Sequence, residues 1–161
     1  MVEEAGRWDS VLLHENEKGI YGDSAPRCKE LLEAFYGPHF KAVFDFANFV
    51  QVGQQTLPAY ELLKPYVEYV HVKDAQWDTG AVVPAGQGDG HVKEILADLI
   101  GGGWKGFLSL EPHLTDFAGL AALEQDPQKR GSALDGKSAW KLALDSLKEI
   151  LAGIPQAKEA L

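Results

Sequence analysis

Four short apolar runs, each closing on a side chain that binds metals or moves protons, constrain this chain more than any other feature. They are Val11-Leu12-Leu13-His14-Glu15, Ala42-Val43-Phe44-Asp45, Tyr69-Val70-His71-Val72 and Phe107-Leu108-Ser109-Leu110-Glu111. Runs this short and this apolar fit strands of a parallel sheet buried on both faces, and turn and helix signals separate every pair. In such folds ligands bind at the carboxyl ends of the strands. Three carboxylates and an imidazole arriving at one end of one sheet point to a metal site rather than to packing.

The segments between the runs read as helices, so strand and helix alternate four times. The first helix is expected from Ser24 to Tyr36, with Ser24 as N-cap, Pro26 in the first turn and Cys28, Leu31, Leu32 and Phe35 as its apolar stripe. A short one is expected from Pro58 to Lys64, stopped by Pro65. A third starts near His91 and carries Ile95, Leu96, Leu99 and Ile100 up to the Gly101-Gly102-Gly103 break, and a fourth covers Ser138 to Leu151. Strand starts recur roughly every 30 to 40 residues, the spacing of strand–helix units in a (β/α)8 barrel. Four such units make half of that barrel, in one α/β domain over residues 1–161 with strands near 11–15, 42–45, 69–73 and 107–111. Met1 to Ser10 reads as the tail of a further helix. An open four-stranded α/β sheet is the alternative architecture.

Side chains alternate along a strand, so each proposed ligand fixes the direction of its neighbours. Leu13 and Val11 share the face of Glu15, Val43 that of Asp45, Tyr69 and Lys73 that of His71, and Ser109 and Phe107 that of Glu111. Ala42, Phe44, Val70, Val72, Leu108 and Leu110 then face the helices, and all are apolar. His14 breaks the pattern and reads as a structural histidine hydrogen-bonded behind its strand.

The bulk properties narrow the function classes. With 161 residues the chain is long enough to bury a core as one domain. No apolar stretch approaches the roughly 18 residues that span a bilayer, and Glu3, Glu4, Arg7 and Asp9 leave no apolar signal region at the start. The expectation is a cytoplasmic protein with no membrane partner. A formal charge of −9 without any basic stripe argues against nucleic acid. The lone Cys28 lies in a helical stripe and reads as a buried or half-buried thiol rather than a nucleophile.

Hard carboxylate oxygens with one imidazole suit Mn²⁺ or Mg²⁺, and Co²⁺ or Zn²⁺ are compatible. The expected ligands are Glu15, Asp45, His71 and Glu111.

His14-Glu15-Asn16-Glu17, Phe44-Asp45-Phe46-Ala47-Asn48, Val70-His71-Val72-Lys73-Asp74 and Leu110-Glu111-Pro112-His113 together resemble the last four strand motifs of the sugar phosphate isomerase/epimerase family, the xylose isomerase-like TIM barrels. Pro84-Ala85-Gly86-Gln87-Gly88-Asp89-Gly90 is similar to the glycine-rich loop after the seventh strand there. The resemblance covers nearly the whole chain, but only the C-terminal half of that barrel. It implies a divalent-metal isomerase or epimerase of a small sugar or sugar phosphate, or a half-barrel fragment of one, in which Glu15 and Glu111 are ligands and also the acid–base pair. Ketose 3-epimerases often carry a histidine where Asn48 stands, so the resemblance leaves the substrate open.

Asn48 is expected to meet a substrate hydroxyl, and Trp77 has the best claim among the tryptophans to contact a sugar. Lys73 and His113 are expected either at a sugar oxygen or phosphate or in rim salt bridges. Glu17 and Asp74 are expected to orient the ligands. The glycine run reads first as a tight strand-to-helix turn and second as a phosphate cradle. Two further readings stand beside the enzyme: a non-catalytic metal-binding half-barrel, and an apurinic endonuclease-like phosphodiesterase, which five histidines and the negative charge disfavour. A half-barrel leaves two strand edges unpaired, so a homo-oligomer that closes the barrel is expected.

Overall fold

The computed structural model describes residues 1–115 and 134–159. Four parallel strands, β1 (Leu12–Glu15), β2 (Phe40–Asp45), β3 (Val67–Val72) and β6 (Phe107–Leu110), pair in chain order. A short antiparallel pair, β4 (Asp74–Ala75) and β5 (Val82–Val83), follows β3. Among the described residues the α-helices are α1 (Val2–Arg7), α2 (Ala25–Phe35), α3 (Phe46–Gln51), α4 (Thr56–Leu63), α5 (Val92–Gly101) and α6 (Gly136–Ala152). Among the described residues no helix is long and apolar enough to cross a membrane.

Local chemistry explains most boundaries. Pro26 occupies the first turn of α2, where its missing N–H costs nothing, although Ser24 caps without a side-chain bond. Asp135 starts α6, accepting from the Lys137 and Ser138 amides, so this helix begins ahead of the expected Ser138. Gly103, at φ +82°, turns the chain out of α5. The second expected helix begins at Thr56 rather than Pro58. The structure also adds α3, which starts directly after Asp45 with no intervening loop.

One face of the sheet carries the core. Ala42, Phe44, Val67, Val70 and Val72 pack against Leu32 of α2, Tyr60 and Leu63 of α4, Ile95 and Leu99 of α5, and Leu147 and Ile150 of α6. Each fully buried large side chain contributes about 1.5–3 kcal/mol of transfer free energy. The opposite face is open at its margins: Val11 is 47%, Leu13 39% and Phe107 72% exposed, while Val43 is buried. His14 lies behind the strand as expected, stacked near Phe40, but its buried Nε2 lacks the expected hydrogen-bond partner.

Register places the four ligand candidates. Glu15 pairs with Val43, two residues before Asp45, and Asp45 pairs with His71. His71 pairs with Ser109, two residues before Glu111. Period two therefore puts all four side chains on the open face at the carboxyl end. One irregularity intervenes: Ala42 pairs with Val67 but Val43 with Tyr69, so Glu68 is an extra residue in β3.

Candidate metal centre

Glu15, Asp45, His71 and Glu111 meet as the alternation requires, each offering a ligand atom within 4.8 Å of the others'. His71 Nδ1 lies 3.1 Å from Glu15 Oε1 and 3.3 Å from Glu111 Oε1. Asp45 is fully buried, and its two oxygens do different things. Oδ1 accepts from the Asn48 amide at 2.8 Å, capping α3, while Oδ2 receives no well-aligned hydrogen bond. A buried carboxylate oxygen left in that state, aimed among two glutamates and an imidazole, fits a hard divalent cation. The donor set thus suits a metal.

Lys73 sits inside this group. Its ammonium lies 3.1 Å from Asp45 Oδ2 and donates to Glu111 Oε2 at 3.0 Å. Burial opposes the charge on Lys73, but Asp45 and Glu111 outweigh it and hold the lysine above its ordinary range. Burial pushes Asp45 up to about 6, against the pull of Lys73 and the Asn48 amide. Glu111 is also opposed by burial, yet Lys73 and His71 hold it below the usual carboxylate range. In His71 the downward effect of burial is overcome by Glu15 and Glu111, which raise it.

Asn48 is buried and joins two ligands, donating its side-chain amide to Glu15 Oε1 at 3.1 Å; its Oδ1 has no partner. Glu17 bends back to accept from the Lys18 amide at 2.6 Å. His113, at φ +39°, lines a cleft of about 240 Å³ beside Glu111 with Leu110, Leu114 and Trp140. Burial and Lys73 lower the His113 pKa. Trp77 is not brought into the four-residue group. It is exposed, donates its backbone N–H to Asp89, and lines a separate cleft of about 550 Å³ with Thr56, Asp89 and His91.

Asp74 sits elsewhere than expected, turned to the glycine loop. Its carboxylate accepts from the amides of Ala75, Gly86, Gly88 and Gly90 at 2.9–3.0 Å. A Cβ at Gly88 would stand 2.5 Å from the Ala75 carbonyl oxygen, and one at Gly90 2.6 Å from Asp74 Oδ1. The glycines therefore let the loop close around an internal anion. Those amides are taken by the chain's own carboxylate, which leaves the tight-turn reading and removes the phosphate cradle.

Sequence reasoning assigned no role to Asn16. Its side chain is buried, accepting from the Asp45 amide and donating to the Asp45 carbonyl, both at 2.9 Å. Its position directly after Glu15 was the available signal.

The family profile described as Xylose isomerase-like TIM barrel matches residues 2–150. The chain belongs to this family. No curated protein matches it in sequence. Among solved structures it resembles a xylose isomerase domain protein from Planctomyces limnophilus at 21% identity and TM-score 0.65, over 95% of this chain and 49% of that one. It also resembles a D-tagatose 3-epimerase-like protein at 18% identity and TM-score 0.67, over 95% and 51%. A 3-keto-D-glucoside 4-epimerase from E. coli aligns at 16% identity and TM-score 0.60, over 92% and 48%. These similarities carry the barrel fold. The chain spans about half the length of those structures, and its four-stranded sheet is a partial barrel.

Proposed function

We propose that the chain is the metal-binding half of a divalent-metal-dependent isomerase or epimerase acting on a small sugar or sugar phosphate by proton transfer next to a carbonyl. The observation that carries this reading is the convergence of Glu15, Asp45, His71 and Glu111, each offering a ligand atom within 4.8 Å of the others'. These four residues would hold the ion, with Mn²⁺ or Mg²⁺ favoured by the oxygen-rich set. When bound, it supplies Lewis acidity that stabilises negative charge developing on a substrate carbonyl oxygen.

The chain's own residues divide the proton work. Glu111, kept ionised by Lys73, takes a proton from the carbon beside the carbonyl, and Glu15 returns one. Return from the opposite face gives an epimer; return to the former carbonyl carbon, with the adjacent hydroxyl proton passing to the former carbonyl oxygen, gives an isomer. Asn48 Oδ1, buried without a partner, accepts from a substrate hydroxyl, and His113 borders the substrate on the Glu111 side.

Closure of the barrel belongs to the same proposal. The exposed margins at Leu13 and Phe107 need a second half, which a two-fold pair of this chain would provide. The same exposure favours a second reading, a metal-binding half-barrel without turnover. Solvent deuterium exchange of ketoses and ketose phosphates, with Mn²⁺ added, separates the two. Exchange that stops in Glu111→Gln while metal is retained supports the enzyme; no exchange by metal-loaded protein supports the binding half.

A further inference from the structure

Lys73 is 3% exposed, although its side chain ends in a charge. It stands two residues beyond His71, on the same face of the chain as the ligand candidates. Its ammonium lies between two of them, 3.1 Å from Asp45 Oδ2 and 3.0 Å from Glu111 Oε2. Carboxylates facing one another across a cation are what two-metal centres use to hold their second ion. Here the cation is covalently part of the chain.

We propose that Lys73 is a built-in second cation: it fills the position between Asp45 and Glu111, so the centre takes one divalent ion and excludes another. This rests on the metal reading above and deepens it. Lys73 offsets carboxylate charge at Asp45 and Glu111, which leaves less negative charge to hold a second divalent ion. A second ion would have to displace an ammonium that is already buried with its counter-charges. Two-ion chemistry, in which one metal holds the attacking oxygen and another the leaving oxygen of a phosphodiester, is excluded with it. What remains is chemistry that one Lewis acid supports, such as polarising a carbonyl and an adjacent hydroxyl. Lys73 is then a positioning residue: it holds Glu111 and Asp45 in place and sets the number of ions.

Titration with Mn²⁺, followed by native mass spectrometry and electron paramagnetic resonance, tests this without any substrate. The wild-type chain is expected to take up one Mn²⁺ and to show no Mn–Mn coupling at excess metal. Lys73→Met keeps the aliphatic stem but removes the charge, and should admit a second, magnetically coupled ion. Lys73→Arg restores a cation and should return the count to one. A coupled ion pair in the wild type would overturn the Lys73 role while leaving the metal centre standing, and so would a folded Lys73→Met that still binds one ion with unchanged affinity. No Mn²⁺ uptake by the wild type would remove the metal centre and this inference together. Should Lys73→Met not fold by circular dichroism, the wild-type count and coupling decide the matter.

Discussion

Asn16 and Asp45 are joined in both directions, the Asn16 side chain accepting from the Asp45 backbone N–H and donating to the Asp45 carbonyl, each at 2.9 Å. The bond ties the end of β1 to the end of β2 just where each strand delivers a ligand candidate, Glu15 and Asp45. Neither partner atom of Asp45 is the carboxylate, so Asn16 fixes the backbone from which that carboxylate is aimed.

Replacing Asn16 by Ala strands two buried backbone groups. The expected cost is about 1–3 kcal/mol of stability and about a 10- to 100-fold loss of Mn²⁺ affinity. Urea unfolding and a Mn²⁺ titration check the two effects. Wild-type values in both would mean that the pair does not hold the centre.

The loop around Asp74 makes a contrast between glycines. Gly88→Ala puts a Cβ 2.5 Å from the Ala75 carbonyl oxygen, so the backbone must move, at about 1–3 kcal/mol. Gly101→Ala meets nothing within 4 Å and should be neutral or stabilising by up to about 1 kcal/mol. Thermal unfolding of the two variants side by side gives the comparison; equal melting temperatures would contradict the close packing of the loop around Asp74.

Cys28 is buried, and its thiol donates to the Gly22 carbonyl at 3.0 Å. Burial first, then Asp23, pushes its pKa up from the ordinary thiol range to about 12. A group raised on folding stabilises the native state below its unfolded pKa and loses that contribution as pH climbs toward the folded value. Between about pH 9 and 12, wild-type stability should therefore fall faster than that of Cys28→Ala. Urea unfolding across that range measures the difference, and parallel curves would rule the effect out.

Much of this architecture is legible in the sequence, for a physical reason. Strands buried on the helical side must be apolar at alternate positions, so Ala42, Phe44, Val70 and Val72 announce their face, and Asp45 and His71 follow by parity. α3 is not legible, because Phe46-Ala47-Asn48-Phe49-Val50 continues the apolar run of β2 and nothing local marks Asp45 as a cap. The two-residue strands β4 and β5 are too short to carry a period. Asp74 shows the remaining difficulty: glycines announce a close approach, but not which anion approaches. Lys73 and Asn16 act on partners 38 and 29 residues away, and such distances are set by register rather than by spacing.

Assembly follows from the open sheet face. Val11, Leu13 and Phe107 remain exposed, and among the described residues β1 and β6 each keep an unpaired edge. Sedimentation at micromolar concentration should find a dimer or larger species, and EDTA should weaken it, because the paired halves bring their carboxylates to one mouth. A monomer that is indifferent to EDTA would contradict closure by a second copy.

The four-residue centre itself is tested most directly by the metal content of protein purified without chelator, measured by inductively coupled plasma mass spectrometry for the wild type, Asp45→Ala and His71→Ala. The expected result is bound divalent metal in the wild type and loss of most of it in both variants, with folding checked by circular dichroism. Equal metal content in all three would contradict the convergence of Glu15, Asp45, His71 and Glu111 on one ion.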